Sequence, residues 1–81
     1  MLSAQPKTPS AERVLFGRRV REERKSRDWT LEDLAERCGL AWNYIADVER
    51  GERNVTLDTA AKMAMGLGVP LWELLLERPS G

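Results

Sequence analysis

The residues best equipped to bind something sit in one run, CGLAWNYIADVERGERN, from Cys38 to Asn54. An indole and a carboxamide stand side by side at Trp42 and Asn43. A phenol follows at Tyr44, and a carboxylate stands one turn further on at Asp47. At helical spacing Ile45, Val48 and Ala41 form an apolar stripe, which leaves Trp42 and Asn43 on the other side of an exposed first turn. Amide, indole and phenol point to binding rather than catalysis. The chain has no histidine, which removes the commonest general base and the commonest metal ligand. A single cysteine with no second thiol or imidazole builds no zinc site. No Gly-rich phosphate loop is present, and the carboxylates are scattered among arginines as surface pairs. The expectation is therefore a binding protein: no enzyme, no metal and no cofactor.

The whole chain narrows this further. Its 81 residues allow one domain with a small core and no second, ligand-sensing domain. At 42% apolar and 32% charged residues it is globular in composition. A lone cysteine fits a reducing compartment. No apolar run approaches the roughly 18–20 residues of a membrane span. The first residues, MLSAQPKTPS, lack the apolar stretch of a secretory signal. These features predict a cytoplasmic protein with no membrane partner, a disordered leader over 1–10, a folded domain over 11–77 and a tail over 78–81. Thirteen basic residues balance thirteen acidic ones, which counts against a strong nonspecific nucleic-acid binder. The charge is uneven, however. From Arg13 to Arg27 seven basic residues face Glu22 and Glu23. Such a run is a solvated helix face or a docking face.

Five helices must position these groups. The first is expected from about Ser10 to Ser26, capped by Ser10, with Val14, Phe16, Val20 and Leu15 on its buried side. Gly17 inside it marks a close neighbour or plain tolerance. Thr30, three residues before Asp33, opens the second helix with Trp29 as a hydrophobic staple, and Gly39 ends it. The third runs from Ala41 or Trp42 to Arg50 and stops at Gly51. Thr56 caps a fourth, Leu57 to Met65. Pro70 opens a fifth. A short capped helix, a glycine-containing turn and a second short helix form the helix-turn-helix plan. Neither helix is stable alone at this length, so the other three must hold them in a compact all-α domain.

The run FGRRVREERKSRDWTLEDLAERCGLAWNYIADVERGERNVTLDTAAKMAMGLGVPLWELL resembles the Cro/repressor type of helix-turn-helix domain, the XRE-like family, over roughly Val14 to Leu76. The LAERCGL turn, the Ile–Val–Glu–Arg–Gly end of the third helix, the RN loop and the GLGVPLWELL close all stand in the family order. Within the family, the short chain and the ERGERNVTL segment most resemble controller proteins of restriction–modification systems. The resemblance implies a five-helix, lambda-repressor-like fold. It also implies sequence-specific binding of double-stranded DNA by a homodimer, on a pseudo-palindromic operator, to regulate transcription as a repressor or activator.

On that resemblance, Trp42, Asn43, Tyr44 and Asp47 are the base-reading candidates. Asn can pair with adenine N6 and N7, an aromatic face can cover a thymine methyl, and an acid can accept from a cytosine amine. Each has a plainer alternative. Trp42 folds back onto the second helix, Asn43 caps a free backbone amide, Tyr44 touches a neighbouring helix, and Asp47 pairs with an arginine. Where the family often has glutamine opening the second helix, this chain has Leu31. That phosphate contact is then either lost or replaced by the Thr30 hydroxyl and the helix N-terminal amides. Arg53, Asn54, Arg50, Arg21 and Arg19 are the further backbone or groove-edge candidates. Arg24 and Glu49 fall where the family has a structural ion pair. Cys38 is either a buried structural residue or a redox switch. Leu71, Leu74 and Leu75 can close the core. Trp72 and Leu76, with Leu71 at the edge, are then the dimer interface. The competing function is an antitoxin-like or other protein-binding module on the same fold, with a toxin or a polymerase subunit as partner.

Overall fold

The computed structural model describes residues Ser10–Arg78. Most of the expected leader and tail therefore lie outside the described residues. Four α-helices follow in order: α1 (Ala11–Ser26), α2 (Leu31–Cys38), α3 (Trp42–Glu49) and α4 (Leu57–Leu67). A 3-10 helix, Leu71–Leu75, closes the chain, and no strand occurs among the described residues.

The starts are set by local chemistry. The Ser10 hydroxyl accepts from the Arg13 N–H at 3.1 Å. Thr30 and Asp33 form a reciprocal capping box, at 3.0 Å from the Asp33 N–H to Thr30 Oγ1 and 2.9 Å from the Thr30 N–H to Asp33 Oδ2. Thr56 accepts from the Thr59 N–H at 3.1 Å. Each bond satisfies one of the N–H groups a helix start leaves without a partner.

Phe16 and Val20 of α1, Leu34 and Cys38 of α2, Ile45 and Val48 of α3, Met63 and Leu67 of α4, and Leu74 meet in one core. Gly17 explains how α1 and α3 come so close. A Cβ at that position would stand 2.1 Å from the Val48 carbonyl oxygen and 3.0 Å from that of Glu49. Only glycine lets the end of α3 lie on α1 at that distance.

Three expectations need correction. The fifth helix is not α-helical. The Glu73 N–H donates to the Pro70 carbonyl at 3.0 Å and the Leu76 N–H to that of Glu73 at 3.4 Å, both three-residue bonds. The chain turns extended at Leu76, whose carbonyl accepts from the Arg19 side chain at 3.2 Å. With three residues per turn, positions three apart share an edge. Leu71 and Leu74 therefore face the core, while Trp72 and Leu75 share the outer edge. Leu75, expected in the core, is exposed for that reason, and Leu71 is half-buried against the core. Val14, expected on the buried side of α1, is also exposed.

Candidate nucleic-acid interface

Gly39, at φ 70°, ends α2 in the left-handed conformation, and three residues later α3 begins. Its N-cap, Ala41, offers no side-chain cap. The first turn of α3 is thus left with free N–H groups and polar side chains facing outward. Trp42 is 51% exposed. Asn43 is exposed, and its Oδ1 accepts from the Tyr44 N–H at 3.0 Å. This local bond is the one the plainer alternative anticipated, and it leaves the amide NH2 pointing outward with no protein partner among the described residues. Tyr44 is half-buried against the core. The Arg53 guanidinium lies over its ring, 5.1 Å from the centroid.

The far end of α3 is fixed. Arg24 Nε and Nη2 donate to the two Glu49 carboxylate oxygens at 2.7 and 2.9 Å, and Nη1 donates to the Trp29 carbonyl at 2.8 Å. Both side chains are nearly buried. The hydrogen bonds that Arg24 donates to Glu49 stabilise its charge more than burial weakens it, and Arg24 stays protonated even more firmly than usual. One bidentate ion pair thus ties α1, the start of α2 and the end of α3 together. Trp29 is held in turn between Arg37, 4.0 Å from the ring centroid, and Arg27, 5.6 Å away.

A family model described as Helix-turn-helix matches residues 20–74. The chain belongs to this helix-turn-helix family. It is 47% identical over 64 residues to the control protein C.BamHI of Bacillus amyloliquefaciens, covering 78% of this chain and 79% of that one. The crystal structure of the restriction–modification controller protein C.AhdI from Aeromonas hydrophila superposes with a TM-score of 0.76 at 42% identity, over 80% of this chain and 98% of that one. The controller protein C.Esp1396I, solved as a tetramer in complex with its natural 35 base-pair operator, gives a TM-score of 0.76 at 29% identity, over 82% and 91% of the two chains.

In this helix-turn-helix protein the basic candidates separate. Arg21 and Arg50, with Lys25, line a polar cleft of about 370 Å³ beside Leu31 and Glu32 at the start of α2. Thr30 is exposed there. Its hydroxyl oxygen accepts within the capping box, which leaves its proton free to donate outward. Arg53 and Asn54 are exposed in the loop after α3. Arg19 belongs elsewhere. It is only 1% exposed, and its guanidinium donates to Glu22 at 3.0 Å, Glu23 at 3.0 Å and the Leu76 carbonyl at 3.2 Å. Expected at the DNA backbone, Arg19 is instead buried and engaged within the protein, where it anchors the C-terminal segment. Helical spacing alone did not separate it from Arg18 and Arg21. Its signal in the sequence was Glu22 and Glu23, three and four residues on.

Asp47 is tied to Arg50 by a close hydrogen bond, and Arg53 Nε stands 3.6 Å from its other oxygen. Cys38 is buried, and burial pushes its thiol up to about 11. It stays a thiol at neutral pH, which fits the structural reading rather than a redox switch. Among the described residues no His/Cys/Asp/Glu group could hold a metal ion, and no helix is long and apolar enough to cross a membrane.

Proposed function

We propose that this chain is a sequence-specific double-stranded DNA-binding regulator of transcription, working as a homodimer on a pseudo-palindromic operator with α3 in the major groove. The observation that carries the reading is the polar, exposed first turn of α3, held on a helix-turn-helix frame of the controller-protein kind. Trp42 and the Asn43 amide face outward at the end of α3 that enters a groove in this class of domain. The Asn43 Oδ1 bond to its neighbour's N–H is exposed and local. A base edge can therefore replace it without leaving a buried group unpaired. Thr30 and the N-terminus of α2, with Arg21 beside it, supply phosphate contacts. Trp72, 64% exposed, shares an outer apolar edge with Leu75 and continues into exposed Leu76. A second copy covering this edge would set two α3 helices roughly 34–36 Å apart, one turn of DNA.

A protein-binding module on the same fold is not favoured, since the relatives carry the names of control proteins and transcription regulators. The test is selection from a random double-stranded DNA pool at fixed moderate salt, with the Trp42→Ala/Asn43→Ala double variant in parallel. The expected result is an enriched inverted repeat that the double variant no longer selects. A folded protein that enriches nothing removes the reading.

A further inference from the structure

The loop after α3 returns to α3 itself. The Glu52 N–H donates to the Asp47 backbone carbonyl at 2.9 Å. Two guanidinium groups converge on the Asp47 side chain, Arg50 on one oxygen and Arg53 on the other. Both arginine side chains remain more than half exposed, at 54% and 53%. Arg53 lies over Tyr44 in the first turn of α3, Arg50 caps the helix's last turn, and the one carboxylate offsets part of the charge of both. Glu52 adds a second, weaker hold on Arg50 at 3.3 Å. Tyr44 supports Arg53 from beneath. A carboxylate bridging two arginines offers the single negative charge and the pair of acceptor oxygens that a backbone phosphate would offer in the same place.

We infer that Asp47 is an internal stand-in for DNA phosphate: it holds Arg50 and Arg53 until a duplex displaces it, and so limits how tightly the protein grips DNA of any sequence. The inference rests on the DNA-binding reading above. A phosphate that draws either arginine away breaks its pair with Asp47, and one that binds the remaining guanidinium donors still lies in the field of that carboxylate. That cost applies to every duplex. Complexes on unrelated sequence have little but phosphate contacts to offset it, because those contacts supply essentially all of nonspecific binding. The zero net charge of the chain acts in the same direction.

The experiment measures binding to a mixed-sequence duplex pool and to the inverted repeat recovered by selection, across a salt series. It compares wild type and Asp47→Asn, each alone and in an Arg50→Gln/Arg53→Gln background, with thermal melts to confirm folding. Asp47→Ala serves as a second probe of the same position. Asp47→Asn should bind the mixed pool about three- to tenfold more tightly, the range two exposed ion pairs can hold back. Its salt slope should steepen by up to about one unit, as a freed arginine neutralises a phosphate outright. Most of that gain should vanish in the Arg50→Gln/Arg53→Gln background. Unchanged or weaker mixed-pool binding overturns the inference. So does a gain that persists in full without Arg50 and Arg53, since it would then be long-range charge. A loss confined to one base pair of the repeat would make Asp47 a base reader and overturn it too. If wild type selects no repeat at all, the DNA-binding reading itself fails, a result distinct from these.

Discussion

Asn43 and Glu49 stand at opposite ends of α3 and have opposite jobs. Asn43 holds nothing in the fold beyond one exposed local bond. Asn43→Ala should leave the thermal midpoint nearly unchanged while weakening operator binding by about 1–3 kcal/mol, the usual value of one base contact. A gel-shift titration against both operator and mixed-sequence DNA checks this, and equal loss on the two would remove Asn43 from the reading set. Glu49 is part of a nearly buried bidentate pair. Glu49→Gln leaves the Arg24 charge without its counter-charge and should cost about 3 kcal/mol in urea unfolding. Glu23 contributes to the acid limb of stability. Burial alone would push its carboxyl up, but hydrogen bonds from Arg27 and Arg19, with their charges, outweigh that and hold it below the usual range. A lowered folded value means a contribution present above the ordinary carboxylate range and lost as pH falls through the folded value. Unfolding measured at stepped pH should show this loss in wild type and a flatter acid limb in Glu23→Gln.

At the scale of elements, the contact of α1 with α3 decides the geometry. Gly17→Ala should gain helix propensity of up to about 1 kcal/mol. Its Cβ would meet backbone at Val48, which cannot swing aside as a side chain can. A net loss of about 1–3 kcal/mol is expected in denaturant unfolding; a more stable variant would mean that α3 can shift on α1. This contact was only half legible in the sequence, where Gly17 signals either a neighbour or tolerance and spacing cannot choose. The α2 start was fully legible, because Thr30 and Asp33 satisfy each other locally. The last helix was not. PLWELLLE has the composition of an α-helix, but its form is set by the Arg19 guanidinium on the Leu76 carbonyl, 57 residues away along the chain. For the same reason the role of Arg19 was misplaced: its burial depends on a segment that arrives from the other end of the chain.

For the whole molecule, the outer edge of the 3-10 helix is the surface we propose a second copy covers. Trp72→Asp puts a charge where an indole stands 64% exposed. The isolated fold should tolerate it, while sedimentation should show a monomer and operator binding should fall with it. An unchanged sedimentation profile would locate the dimer elsewhere. The same architecture limits how the pair can adapt. The Gly17 contact and the Arg24–Glu49 pair pin α3 at its inner end, so a reading head cannot tilt to follow its site. Any mismatch between the spacing of two rigid heads and the pitch of the double helix must then be absorbed by the duplex. Bending or twisting it costs least at flexible pyrimidine–purine steps. An operator for this protein should therefore carry sequence preference at central base pairs that no side chain touches.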